Sequence, residues 1–520
     1  MDDGDGTEDG GAGRTPAARP RRAGRSLRPA QDDTPPGGPR IDVGSRIGWL
    51  ARTARQLRGG ARLRRLEDMS RATGHAVTRL QRVETGQQRN SDVLDAYERH
   101  LDLPGGALVA PVDALCRTFP DEAPRDLGRG EEITDPARMS VLTEALLDPG
   151  PVTGGQWLAW AGAMSAVGGM GLPVPTARGL VERLVGELAR SAASGYVSRY
   201  EALARLRCGP YGGLVLEVAQ GWVADVHVQA ASDVLSAVGE AITPAAQDWL
   251  LDLLEDERDR LVVGAALGLE QMAAVGGEAF WRGLLPDAVA SFDRAEPGTT
   301  RWWWTSHLLR TVPRSTWEAT ELRPRRRFAP APAVRDWSRS RTPTLWTECR
   351  ARGGAVASRL GLDSGGLLAR LVFDIAVSPH ETQAVTGYML LGALPEAAEE
   401  VAAELAEMAE QPRDPLLRAR IARRLPGLLP AVLPDRVRAW IDSDDEHLRP
   451  AAMRAAGAAG VHLPVAVLEA ELGGEEFPAG AMYAAGMSGH PVLRDWAAHP
   501  RPDVAGAAGW WLRQGDRVVR

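Results

Sequence analysis

Four segments near the C-terminus are built alike. "DPLLRARIARRLPG" starts at Asp414, "DEHLRPAAMRAAGAAG" at Asp445, "EFPAGAMYAAGMSG" at Glu476 and "DVAGAAGWWLRQG" at Asp503, so the starts lie 31, 31 and 27 residues apart. Each opens on an acidic residue, continues as an Ala-rich helical pattern with small residues on one face, and usually ends on Gly. Two earlier segments follow the same scheme 34 residues apart, "DVHVQAASDVLSAVG" from Asp225 and "DRLVVGAALGLEQMAAVG" from Asp259. A pair of short helices cannot bury its apolar face alone, whereas small side chains let neighbouring pairs stack closely into one continuous core. From about residue 135 onward nearly every stretch reads as helix cut by Gly, Pro or Asp, and none sustains the period-two alternation of a half-buried strand. The expected fold is all-α, with a large α-solenoid-like repeat domain occupying 135–297 and 343–520.

This pattern resembles the HEAT-like family of short helical repeats, well over 414–513 and less closely over 220–290. An irregular all-α domain in an Ala-rich chain is the alternative. Residues 298–342 break the pattern with five Trp, several Pro and the cluster "RPRRR". They read as a linker between two helical halves or as a loop folded over the repeats. Trp302, Trp303 and Trp304 cannot all face one side of a helix, which puts at least one at an interface or in a cleft.

A chain of 520 residues has room for roughly three domains or one extended array. No apolar run approaches the roughly 18 residues a membrane span needs. The opening "MDDGDGTEDGG" has no apolar region of the kind a secretory signal carries. Cys116, Cys208 and Cys349 stand isolated, which fits a reducing cytoplasm better than a disulfide framework. All 61 basic residues are Arg. Without Lys there is no P-loop or kinase-type Lys and no Schiff base. The charge is uneven: residues 41–105 hold twelve Arg against eight acids, residues 1–40 balance, and a chain total of −7 leaves −11 for 106–520. A basic segment ahead of an acidic body predicts that only the front meets a polyanion. Residues 1–40, rich in Gly, Pro, Asp and Arg, read as a disordered tail. Its cluster "RTPAARPRRAGRSLR" is either a source of phosphate contacts or a solvated segment without a role.

Residues 41–106 read as a compact set of helices. "SRIGWLARTARQLRG" is closed by Gly59 and Gly60. "RLRRLEDMSRAT" follows, with Leu63, Leu66 and Met69 on one face, and Gly74 ends it. "VTRLQRVE" comes next, then "SDVLDAYERHLDL" with Ser91 as N-cap and Leu94, Tyr97 and Leu101 inward. Residues 107–134 read as a linker. In "VTRLQRVE", Val77, Leu80 and Val83 fall on one face, while Thr78, Arg79, Gln81 and Arg82 point away from it.

Residues 45–103 resemble the Xre or lambda-repressor-like helix-turn-helix family. The match is an apolar Met69, Gly74 in the turn, then Leu80, Val83-Glu84 and Gly86. The resemblance implies five short helices, the second and third forming the DNA-binding pair, and a recognition helix that enters the major groove of double-stranded DNA. It assigns base reading to Val77, Thr78 and Arg82, with Gln81 as a further contact, and phosphate contacts to Arg79 and Arg89. Gly74, Leu80, Val83, Glu84 and Gly86 are its structural positions, with Arg55 the candidate partner of Glu84. Two departures stand out. Ala76 replaces a small polar residue, and "RGGARLRR" makes the first inter-helix loop about four residues longer than the family pattern.

Catalytic signals are sparse. The string Asp363-Ser364-Gly365-Gly366 precedes a helical pattern and lacks the β-barrel a trypsin-like nucleophile needs, so Ser364 reads as a helix cap. No His or Cys pair has metal-ligand spacing, and no Gly-rich phosphate loop is present; no cofactor and no enzyme activity are expected. The sequence therefore predicts a cytoplasmic, nucleoid-associated, actinobacterial-type transcriptional regulator, binding DNA as a homodimer because one such module reads a half-site. Its helical body would take a protein or small-molecule ligand. The alternative is a helical-repeat scaffold, or a sensor in a defence or conflict system, with the front module as a tether.

Overall fold

The computed structural model describes residues 31–128, 136–166, 171–192, 194–330, 342–363, 365–411, 414–428 and 432–519. Among them are 27 α-helices and no strand, packed as an all-α, solenoid-like body behind a small N-terminal unit. No helix among the described residues is long and apolar enough to cross a membrane.

The N-terminal unit comprises α1 (Val43–Arg58), α2 (Gly60–Leu63), α3 (Leu66–Thr73), α4 (Val77–Glu84) and α5 (Ser91–His100). Asp42 caps α1, its side chain accepting from the Ser45 N–H at 2.8 Å. Ile47, Leu50, Ala54, Met69, Leu80, Val83, Leu94 and Tyr97 form one fully buried core. The extra residues of "RGGARLRR" coil into the single turn α2, which begins at Gly60 with φ +53°. Asn90, not Ser91, caps α5: its Oδ1 accepts from the Val93 N–H at 3.1 Å, and Ser91 is the first helical residue. An Asn carbonyl one position earlier reaches the N–H of the third helical residue, so it takes the capping role.

Two expected boundaries fail. The 107–134 stretch is not a linker at its start. Helix α6 (Val109–Thr118) is largely buried and packs against the helices Ser194–Cys208 and Glu381–Gly392, which welds the front unit to the body. Nor is the tail free up to residue 40. The Asp32 side chain is completely buried, held by Arg46 at 3.0 Å, and Arg370 donates to the Thr34 carbonyl at 2.5 Å. A carboxylate that neutralises buried guanidiniums fixes backbone that composition alone marks as disordered. Residues 1–30, including the basic cluster, lie outside the described residues, as do 129–135, 331–341 and Ser364.

In the body, helices pair through small residues. A Cβ on Gly457 would lie 2.9 Å from Ala484 Cα, and one on Gly264 would strike Leu235 at 2.6 Å. The repeat is visible in its caps. Asp414 accepts from the Leu416 N–H, and Asp445 from those of His447 and Leu448. Leu448–Ala459 and Ala479–Ser488 end in the same left-handed motif. The Val461 N–H bonds the Ala456 carbonyl, and the His490 N–H bonds that of Ala485. Gly460 (φ 68°) and Gly489 (φ 64°) supply the left-handed residue.

The Trp-rich segment differs from expectation. Thr300–Thr311 is a helix packed along Asp259–Arg294, and Arg314–Glu318 is a further turn, so this part continues the helical stack. Trp303 is exposed, while Trp302 and Trp304 pack partly buried against the core. The last helix, Pro502–Gln514, returns to the first half. Trp510 stacks edge-on to Trp222 at 5.6 Å, Arg513 pairs with Asp225 at 3.0 Å, and the Ala192 N–H bonds the Val518 carbonyl at 2.9 Å.

Candidate nucleic-acid interface

Helix α4 is mounted by four contacts. At its front, Gly74 adopts φ 74° and returns its N–H to the Ser70 carbonyl at 3.0 Å, making the sharp α3–α4 turn that a side-chain-bearing residue would strain. Beneath it, Leu80 and Val83 are fully buried. At its end, Glu84 is buried and clamped bidentately by Arg55, with Nε–Oε1 and Nη2–Oε2 both at 2.6 Å, while the Tyr97 hydroxyl donates to Oε1 at 2.8 Å. The Arg55–Glu84 pair expected from the sequence is therefore formed. Burial opposes the Arg55 charge, and the Glu84 hydrogen bonds and charge outweigh it, raising its pKa further. Behind it, α1 and the α4–α5 loop meet backbone to backbone: a Cβ on Gly48 would sit 2.5 Å from the Gly86 nitrogen, and Gly86 itself has φ 72°.

The opposite face is open. Thr78 and Arg82 are exposed and Gln81 half-buried; none of the three side chains has a hydrogen-bond or ion-pair partner among the described residues. The body does not cover them. Val77 is half-buried beside the fully buried Leu80. Arg79 reaches across to Asn90 Oδ1 at 3.0 Å and Asp92 Oδ2 at 3.3 Å, a partly exposed pair that a phosphate could compete for. Arg89 is different. Its guanidinium pairs with Asp113 and lies 3.7 Å from Asp126, with the side chain 16% exposed. Burial would lower its pKa, but the two carboxylates raise it, so this cation is committed inside the protein. As a phosphate contact Arg89 is withdrawn; its proximity to the recognition segment in sequence gave no hint of acids at 113 and 126.

The sequence also missed where the basic charge goes. Arg46 pairs with Asp32 and Asp374, Arg52 with Asp363, Arg55 with Glu84 and Arg58 with Glu396. All four arginines of α1 thus face carboxylates, three of them on the body. Conversely, Arg62 and Arg65, beside the extra turn α2, are exposed and have no partner among the described residues. Ala76 offers α4 no side-chain cap. Among the described residues no group of three or more His, Cys, Asp and Glu could hold a metal ion.

No known family profile matches the sequence, and no curated protein matches it. Among solved structures, the crystal structure of an engineered protein aligns with 72% of this chain and 98% of its own, at 14% identity and a TM-score of 0.19.

Proposed function

We propose that the chain is a sequence-specific DNA-binding regulator whose α3–turn–α4 unit acts as an Xre-type helix-turn-helix. One observation carries the reading. Arg82, Gln81 and Thr78 project without partners from a short helix whose other face is locked by Leu80, Val83 and the Arg55–Glu84 clamp. Long polar side chains held on a rigid rod are what base-edge recognition in the major groove requires. Arg82 would take guanine O6 and N7, Gln81 and Thr78 would make the adjacent contacts, and Arg79, Arg62 and Arg65 would meet phosphates. The module reads a half-site, so the chain would act as a homodimer on a two-fold operator in the nucleoid, with the HEAT-like body sensing or docking a ligand. No catalytic role is assigned.

The test is binding of the full chain to genomic duplex fragments at two salt concentrations. Saturable, sequence-dependent binding that Arg82→Ala weakens about 10- to 100-fold supports the proposal, as the loss of a bidentate base contact of roughly 1–3 kcal/mol would. A second reading, a helical scaffold tethered by its front unit, is favoured by the internal pairing of the α1 arginines, which leaves little free positive charge. It requires binding that is blind to sequence or absent.

A further inference from the structure

We propose that the cleft between α5, α6 and the helices Gly154–Ala166 and Ser194–Cys208 binds a small organic cation, an amine with an apolar body, whose ammonium group is taken by Asp95 and Asp92. The site lies at the joint between the front unit and the body, and it does not depend on duplex binding by α4.

The cleft is a space of about 1200 Å³. Its walls are pinned at two places. At the first they meet backbone to backbone: a Cβ on Gly155 would lie 2.6 Å from the Gly105 carbonyl oxygen, and one on Gly106 would strike Leu158 at 2.6 Å. Two turns further along the same helix, a Cβ on Gly162 would lie 2.9 Å from Arg205 Nη1. Arg205 is itself held by Asp113 of α6 and by Glu201. Walls joined by backbone contact and by ion pairs keep a preformed space of ligand size.

The charges lining this space are unequal. Three of its four arginines are engaged internally. Arg117 forks onto Glu201 at 2.7 and 2.9 Å and reaches Glu240 at 2.8 Å, Arg205 joins Glu201 to Asp113, and Arg89 pairs with Asp113. Asp126 accepts from the Ser91 and Gly128 N–H groups, and Glu98 from those of Gly106, Leu108 and Val109. Asp92 has one partly exposed partner, Arg79, at 3.3 Å. Asp95 is exposed and has neither an ion pair nor a hydrogen bond among the described residues. Against these two stands Arg99, exposed and likewise unpaired, one turn along α5. Even with Glu98 counted as neutral, five carboxylates face four guanidiniums.

Burial raises the Asp95 carboxyl above its ordinary value; Arg99 opposes the rise, and the charges of Asp92 and Asp113 add to it. A carboxylate in that position gains from a cation placed beside it. Val109, Leu142, Leu158, Ala159 and Ala163 supply apolar surface in the same space, where a carbon body would pack. Among the described residues no three His, Cys, Asp or Glu side chains converge as a metal site needs, which favours an organic cation.

The experiment titrates the full chain with 2-phenylethylamine and, separately, with 3-phenylpropionate, at matched ionic strength, read by calorimetry. Saturable binding of the amine and none of the carboxylate is expected. Asp95→Asn removes a charge with no partner in the protein. It should weaken amine binding about tenfold and leave Tm within about 1 °C. Arg99→Gln should leave amine affinity equal or higher. Ala159→Phe should abolish binding by filling the cleft; if that variant fails to fold, Asp95→Asn decides alone. No saturable amine binding, equal binding of the carboxylate, unchanged affinity in Asp95→Asn, or an equal loss in Arg99→Gln overturns the proposal. A chain that ignores duplex and still binds the amine would remove the regulator reading and leave this site standing.

Discussion

Arg46 Nη2 donates to Asp374 Oδ2 at 2.5 Å across 328 positions of sequence, and neither side chain is exposed at all. Asp32 on the other side of Arg46 and Arg370 beside Asp374 complete an alternating row of four buried charges. Removing one member of such a row leaves an uncompensated ion in the interior. Asp374→Ala is therefore expected to cost about 3–5 kcal/mol in denaturant unfolding. The double variant with Arg46→Met should recover part of that loss. Equal destabilisation by single and double variants would show that the pair contributes nothing specific.

The same row has a pH dependence. Burial alone would raise the Asp32 carboxyl, but the Arg46 and Arg370 guanidiniums outweigh it and hold its pKa below the ordinary value of 3.8. A carboxylate with a depressed folded pKa stabilises above its unfolded pKa and loses that stabilisation as pH falls through the folded one. Protection of the Asp33, Thr34, Gly37 and Gly38 amides from hydrogen exchange, relative to their intrinsic rates, should accordingly be high at pH 6 and fall below about pH 4. Fast exchange at pH 6 would count against an anchored segment.

Glu98 runs the other way. It accepts N–H groups from Gly106, Leu108 and Val109 at 2.7, 2.6 and 2.9 Å, yet burial dominates and pushes its pKa up from 4.5 to about 7. Between those values the native chain holds a proton that the unfolded chain has lost. Its contribution to stability is greatest below pH about 4.5 and declines as pH rises to about 7. The Tm of the wild type relative to that of Glu98→Gln should fall across this range and level off above it. A difference that is flat with pH would assign the site a carboxylate of ordinary strength.

Gly48 tests how α4 is mounted. Its missing Cβ would meet the Gly86 nitrogen at 2.5 Å and the Glu84 carbonyl oxygen at 2.9 Å, both backbone that cannot swing aside. Gly48→Ala should destabilise by about 1–3 kcal/mol despite the better helix propensity of Ala, measured by urea unfolding. Gly60→Ala, at a position with open space around it, would strain only its own positive φ.

What could be read from the chain alone follows the range of the interaction. The Gly74 turn, the buried Leu80 and Val83 and the Arg55–Glu84 clamp all lie within about thirty residues, where helical spacing fixes which faces meet. Part of the helical repetition was legible because Asp414 and Asp445 both cap helices and Gly460 and Gly489 both end them in the left-handed conformation. The partners of the α1 arginines were not. Nothing local distinguishes an Arg bound for Asp374 or Glu396 from one bound for a phosphate, and the charge count of residues 41–105 treated them alike. The Trp-rich segment failed for a related reason: three consecutive Trp defeat a one-face pattern, but Trp302 and Trp304 still pack partly buried against the core while Trp303 stays in solvent.

Arg82 and Arg89 sit seven residues apart and both looked like DNA contacts, so their variants separate structure from recognition. Arg82 is exposed and unpartnered, and Arg82→Ala should leave the denaturation midpoint within about 0.5 kcal/mol of wild type while weakening duplex binding. Arg89 neutralises Asp113 and Asp126 with its side chain largely buried. Arg89→Ala leaves Asp113 to Arg205 alone and Asp126 to the Ser91 and Gly128 N–H groups, beside Cys116, itself pushed up to about 11 by burial, and should cost about 1–3 kcal/mol. Its effect on DNA should be confined to what the lost stability explains, vanishing when binding is measured well below the midpoint. A stable Arg89→Ala protein that no longer binds duplex would instead restore Arg89 to the phosphate set and show that its pairing with Asp113 opens on binding.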